Sequence, residues 1–183
     1  AKVYIDGVLV NSGSVTVTDG TTIYVGYSQW FHKGFIDEVK LYNFALTAAQ
    51  VKANYNAKAS GDGASAVLGS NPSQNLSNGL VGYWKMDEST TTIADSSGNA
   101  QTTTPTGSAM STGKFGNSFD FNGTSTDYVT VTDTASLDFT TAFTVSAWVY
   151  RDADSGGYER VISKDASGGT SYHWYFQITD ADK

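Results

Sequence analysis

Alternation at period two, in short runs closed by turn residues, is what most limits the folds open to this chain. In "FTVSAWVYR", Phe143, Val145, Ala147 and Val149 take one face, and Thr144, Ser146, Trp148 and Tyr150 the other. That is the pattern of a strand with one face in a core. "KVYIDGVLV" alternates around Asp6-Gly7, a hairpin signal, and "SVTVTDGTTIYVGY" repeats it around Asp19-Gly20. "LVGYWKMDE", "KFGNSFDFNG", "DYVTVT", "RVISKD" and "YHWYFQIT" add further strands. "FIDEVKLY" places Ile36, Glu38, Lys40 and Tyr42 on one face, and Phe35, Asp37, Val39 and Leu41 on the other.

One segment breaks the pattern. In "LTAAQVKANYN", Thr47 and Gln50 form a capping box, Leu46 and Val51 a hydrophobic staple, and Val51 and Tyr55 one stripe. The helix is too short to persist alone, so it is expected to lie on the preceding strand. Many short strands with one short helix give an all-β fold: a two-sheet antiparallel jelly-roll sandwich. Residues 58–79, "KASGDGASAVLGSNPSQNLSNG", are small and polar and read as a linker.

Composition removes several functions. The net charge is −7, from 11 Lys and Arg against 18 Asp and Glu, so no basic surface for nucleic acid is expected. No apolar run is long enough for insertion in a membrane. There is no Cys, which excludes disulfides and thiolate ligands. The Thr-, Ser-, Gly- and Asn-rich surface suits an exported protein, and the start at Ala1 suits a trimmed precursor.

Two sets of motifs resemble a known family. "GLVGYWKMDE", "DSSGNAQ", "KFGNSFDFNGTSTDYVTV" and "FTVSAWVYR" resemble the first half of a laminin G-like, concanavalin A-like jelly roll of the bacterial type. "KVYIDGVLV" and "GFIDEVKLYNFALTAAQVKANYN" resemble its last part. The resemblance therefore makes residues 1–57 the C-terminal part of such a domain and 80–183 the N-terminal part, in inverted order. Strands expected between them in the family are not found. Three arrangements fit: a piece of a tandem array, a circular permutation closed within the chain, or completion between chains by strand complementation.

The fold also carries glycoside hydrolases, which set two carboxylates across the sugar bond. Their Glu-x-Asp-x-x-Glu strand signature is absent. Asp37-Glu38 and Asp87-Glu88 are adjacent pairs, so on a strand each points to opposite faces. His32 and His173 read as packing or surface residues, and no Ser-His-Asp set is legible. No enzyme activity is expected.

The resemblance implies one structural Ca²⁺ where first and last strands meet. The matching positions are Asp37, Asp87, Asp95 and Asn99, with a backbone carbonyl near Gly116. Asp95 and Asn99 also suit a turn cap. "DADSGGYE" (Asp152 to Glu159) contains an Asp-x-Asp start but lacks EF-hand spacing and reads as a Gly-rich turn. Sugar binding would use exposed rings, with Tyr27, Trp30, Tyr158, Tyr172 and Trp174 as candidates, whereas Trp84 and Trp148 read as core.

The expected function is non-catalytic recognition of carbohydrate at a cell surface or outside the cell, in adhesion. The alternatives are a filament or stalk repeat joined to identical chains by strand complementation, and an accessory module of a secreted glycoside hydrolase.

Overall fold

A computed structural model describes residues 1–14, 16–17, 20–27, 30–56, 76–88, 92–107, 109–152, 157–165 and 172–179, without the side chains of Leu76, Asn78 and Tyr172. Most of linker 58–79, Asp19 of the second turn and residues 153–156 of the Gly-rich turn lie outside the described residues.

Strands β1 (Lys2–Ile5) and β2 (Val8–Ser12) form the hairpin that Asp6-Gly7 announces. Both turn residues have positive φ, 50° and 74°, the two-residue turn whose twist matches its strands. This hairpin is a sheet of its own.

The other strands are β3 (Thr22–Val25), β4 (Lys33–Tyr42), β5 (Leu80–Trp84), β6 (Thr103–Thr106), β7 (Ala109–Thr112), β8 (Asn117–Asn122), β9 (Tyr128–Thr132), β10 (Thr144–Arg151), β11 (Tyr158–Asp165) and β12 (Tyr172–Thr179). They make two five-stranded antiparallel sheets. One runs β10-β4-β8-β7, with β5 also pairing β4; the other runs β12-β11-β3-β9-β6. The fold is the expected all-β jelly-roll sandwich.

The core lies between these sheets. Ile36, Leu41, Trp84, Phe119 and Phe121 come from one, and Ile23, Val25, Val129, Val131 and Ile162 from the other. Burying each such side chain contributes ~1.5–3 kcal/mol. "FIDEVKLY" pairs within its own chain: β4 has β10 on one side and β5 and β8 on the other. Strand β3 likewise sits between β9 and β11.

Helix α1 (Ala48–Asn56) begins as the sequence predicts. The Thr47 N–H donates to Gln50 Oε1 at 2.9 Å, and the Gln50 N–H returns to Thr47 Oγ1 at 3.3 Å. Leu46 and Val51 pack in a small cluster with Tyr42, Leu80 and Tyr83. Asn54 donates to Ser146 Oγ at 3.0 Å, which ties the helix to β10.

Three expectations change. Simple alternation fails in β4, because Glu38 takes φ 54° and the register with β10 shifts there. Lys40 faces Ser146 and Asp37 faces Trp148, so Glu38 and Val39 together oppose Ala147. This bulge puts Ile36, rather than Phe35, in the core with Val39 and Leu41. Phe35 instead stacks on Tyr150 at 5.5 Å. Trp148 is not core: it lies half-buried on the outer side of β10, stacked on Tyr55 of α1 at 5.2 Å. Strands β6 and β7 were not foreseen, since "TTPT" and "AMST" lack apolar alternation. Pro105 is tolerated in β6 because that strand is an edge.

Candidate functional site

Strands β3 and β9 bury Ile23, Val25, Val129 and Val131, so their alternate residues cover the outer face of the β12-β11-β3-β9-β6 sheet. Register places Thr130, Tyr24, Ser163 and Tyr175 in one row across four strands. Tyr24, Tyr27 and Tyr128 form one group of rings, with Tyr27 and Tyr128 4.7 Å apart, and Phe31 lies against Tyr27.

The second group has a cation at its centre. Arg160 Cζ lies 3.6 Å from the Tyr175 ring centroid and 5.2 Å from that of Trp30. Trp30 meets Tyr158 edge-on at 5.2 Å. The Arg160 N–H donates to the Trp30 carbonyl at 3.1 Å, so Trp30 is fixed beside β11. Arg160 is buried beneath rings that are themselves exposed: Trp30, Tyr158 and Tyr175. A guanidinium against aromatic faces holds those rings in place. Exposed rings with hydroxyl neighbours offer an apolar platform and hydrogen bonds together.

Of the expected ring residues, Tyr27, Trp30 and Tyr158 lie here. Trp174 does not: it is buried against Phe139 and Phe143. Strand β12 turns Trp174 and Phe176 inward, and Tyr175 is the exposed ring. Tyr172 starts β12, and its side chain is outside the described residues. Arg160 and Tyr175 were missed; alternation through Trp174, Phe176 and Ile178 is the signal that would have found Tyr175.

Carboxylates at this end are spent on structure. Glu159 is fully buried; its Oε1 accepts from Arg151 Nε and Nη2 at 3.1 and 2.9 Å, and its Oε2 lies 2.9 Å from His32 Nδ1. Burial alone would raise this carboxyl, but His32 and Arg151 outweigh it and hold it at about 2. Asp165 is also buried and accepts from Ser163 Oγ at 3.2 Å.

The expected metal residues divide into two places. Asp37, Asp87 and Gly116 come together at the 113–117 turn between β7 and β8. Asp37 Oδ2 accepts from the Phe115 N–H at 3.0 Å, and Asp87 Oδ1 from the Asn117 N–H at 2.9 Å. Gly116, at φ 62°, leaves room for Asp87 Oδ1, which a Cβ would meet at 2.1 Å. The Gly116 carbonyl accepts from the Gly113 N–H at 3.0 Å, leaving it a second lone pair. Asp37 is 2% exposed and its Oδ1 has no hydrogen-bond partner. Burial pushes its carboxyl up to about 7; the Phe115 and Lys114 N–H groups oppose this, while Glu38 and Asp87 add to it.

Asp95 and Asn99 serve β5 instead. Asp95 accepts from the backbone N–H groups of Tyr83, Ser97 and Gln101 at 2.8–3.0 Å. Asn99 Nδ2 donates to the Leu80 and Val81 carbonyls. Among the described residues no three His, Cys, Asp or Glu side chains are grouped to hold a metal. The pair Asp37 and Asp87 does fit a hard cation, since one would give the orphaned Asp37 Oδ1 a partner.

The sequence profile described as the Concanavalin A-like lectin/glucanases superfamily, of laminin G type, matches residues 1–52 and 122–183, more than half of the chain. No curated protein and no solved structure matches.

Proposed function

Because this chain belongs to the Concanavalin A-like lectin/glucanases superfamily, we propose that it is a non-catalytic carbohydrate-recognition module. Its ligand face is the outer surface of the β12-β11-β3-β9-β6 sheet. The observation that carries this reading is the Tyr158–Trp30–Arg160–Tyr175 cluster, in which a buried guanidinium lies against the exposed rings of Trp30 and Tyr175 and Tyr158 meets Trp30 edge-on. A sugar ring stacks its C–H face on such platforms, and the partly exposed Thr130 hydroxyl, which donates to the Thr104 carbonyl, keeps acceptor capacity on the same face.

A binding role suits the carboxylates better than hydrolysis does. Hydrolysis needs a general acid whose carboxyl is raised and a second, accessible carboxylate. On the proposed ligand sheet Glu159 is held as an anion between Arg151 and His32, and Asp165 is buried; the raised carboxyl, Asp37, belongs to the other sheet and is buried at the 113–117 turn. The setting we propose is extracellular or cell-surface, in adhesion.

Asp37 and Asp87, with the Gly116 carbonyl, are the residues that would hold Ca²⁺. The ion would supply the countercharge these neighbouring carboxylates lack and tie β4 to the 113–117 turn. Asp95 and Asn99 are left as the β5 turn cap.

A glycan array followed by titration calorimetry tests the recognition reading. Binding that weakens about tenfold in Trp30→Ala and Tyr175→Ala supports it, the loss expected for a stacked ring contributing about 1.4 kcal/mol. No glycan bound by the folded protein, with and without Ca²⁺, would sink it.

A further inference from the structure

The sandwich is open along one side. Strand β10 pairs with β4 through one edge and has no strand on its other edge among the described residues. Strand β12 ends the facing sheet in the same way. The inward residues of these two strands are only partly buried: Phe143, Val145, Ala147 and Val149 beside β10, and Phe176 and Ile178 on β12. In closed parts of the same core, Val129 and Val131 are fully covered. A cleft of about 900 Å³ runs along β10, lined by Val145, Ala147 and Phe176 and bounded by the β1–β2 hairpin and α1.

What fits such an edge is set by its chemistry. An unpaired strand presents a row of backbone donors and acceptors, and an extended polypeptide satisfies that row throughout. The half-covered residues beneath require apolar side chains at alternate positions of that strand.

The molecule carries an exposed apolar strand with a free edge of its own. Among the described residues, the exposed large aliphatic side chains are Ile5, Val8, Leu9 and Val10, all in the β1–β2 hairpin. Every residue of β2 is exposed, with Val8 at 63% and Val10 at 54%. The register pairs Tyr4 with Leu9 and Val3 with Asn11, so Val10 is the extra residue of a bulge beside Val8 and Leu9, and β2 offers apolar side chains on both faces. A two-stranded hairpin of this size is marginal alone in water, and this one pairs with neither large sheet.

We infer that β2 of a second copy of this chain docks on the free edge of β10. Val8 enters between the sheets beside Val145 and Ala147, and the bulged Val10 lies next to it along the same edge. Reciprocal exchange about a two-fold axis closes the pair, because each copy holds both donor and acceptor. Each copy then contributes residues 2–12, residues 144–151, Phe176 and Ile178. That is about twenty residues a side, the size of a standard interface of about 800 Å² per partner. The net charge of −7 on each copy opposes association, so the pair tightens as salt rises.

The natural absence of Cys makes the test direct. Two versions of the full chain are mixed under mild oxidation, one with Val10→Cys and the other with Val145→Cys, Ala147→Cys or Val149→Cys in turn. A disulfide between different chains at one of the three positions is expected. Ultracentrifugation from micromolar to millimolar protein should show a monomer–dimer equilibrium. Val8→Lys with Val10→Lys should weaken it at least tenfold and leave circular dichroism unchanged, because both side chains are exposed. A monomer at every concentration overturns the inference. So do a disulfide formed only when both cysteines share one chain, a dimer indifferent to the lysines, and a ladder of larger species, which would rule out two-fold closure. None of these results bears on the ligand face at Trp30 and Tyr175.

Discussion

Asp37→Asn measures what the buried carboxyl at the centre of β4 costs this fold. Asp37 titrates near 7 in the folded protein against an ordinary value of 3.8. The folded state therefore binds this proton more tightly than the unfolded chain. Its stabilising effect is complete below pH 3.8 and is lost as pH rises through 7. The interval of about 3 units corresponds to about 4 kcal/mol of stability lost between acid and pH 8. A domain stable by roughly 5–15 kcal/mol registers such a change clearly. At about 2–4 °C per kcal/mol it amounts to a fall in Tm of roughly 10 °C. Asn keeps an acceptor for the Phe115 N–H and removes the charge. Its amide N–H groups inherit the position where Asp37 Oδ1 has no partner, at a cost of about 1–3 kcal/mol. Net, Asp37→Asn should gain about 1–3 kcal/mol at pH 8 and lose a similar amount at pH 4. The assay is Tm against pH from 4 to 8 in chelator, both proteins side by side, so that groups common to both cancel. Equal slopes in the two proteins would refute the burial account. Millimolar Ca²⁺ at pH 8 should then raise the Tm of the parent by the binding energy, about 2.7 kcal/mol at a hundredfold excess over Kd, and leave the variant unchanged.

Glu159 works in the opposite sense: held at about 2 against 4.5, it contributes about 3 kcal/mol above pH 4.5 that disappears as pH falls toward 2. Glu159→Gln should therefore lose about 3–5 kcal/mol at pH 7, because Arg151 and His32 are left without their anion; denaturant melts at pH 7 read this, and a loss below 1 kcal/mol contradicts it. Trp30→Ala should reduce glycan affinity about tenfold while Tm stays within about 2 °C, since the ring is exposed; a large fall in Tm would make it a packing residue. Thr47→Ala removes one side of the capping box and should cost about 1 kcal/mol, visible as earlier thermal loss of α1 by circular dichroism.

What the sequence disclosed is what neighbouring residues decide. Asp6-Gly7 dictates its hairpin because positive φ at both positions is a local demand. Thr47 and Gln50 cap α1 because their partners lie three residues apart. The alternation in β10 is simple, and Phe143, Val145, Ala147 and Val149 do face the core. Features set by partners distant in sequence were hidden. The Glu38 bulge is defined by the β10 ladder about a hundred residues on, and it reassigns Ile36 to the core. Arg160 becomes the support of Trp30 and Tyr175 only once β11, β12 and Trp30 are adjacent. Asp37 and Asp87 could be named from family likeness. That Asp37 Oδ1 is stranded follows only from how the 113–117 turn folds over it.

The pairing of β3 and β4 gives residues 1–57 their physical role. Each occupies the interior of a sheet whose other strands all come from residues 80–179. Without β4, strand β10 loses its only ladder and β5 and β8 lose their common partner. Without β3, the β12-β11 pair separates from β9-β6. Neither part could bury Ile36, Val39, Ile23 or Val25 alone, so the two must fold as one cooperative unit. The β1–β2 hairpin precedes them and joins neither ladder. Its Ile5, Val8, Leu9 and Val10 are the exposed large aliphatic side chains among the described residues, and β10 is one of the sheet edges left without a partner strand among them. A strand-sized donor and a strand-sized acceptor left over on one molecule are matched most simply by its second copy.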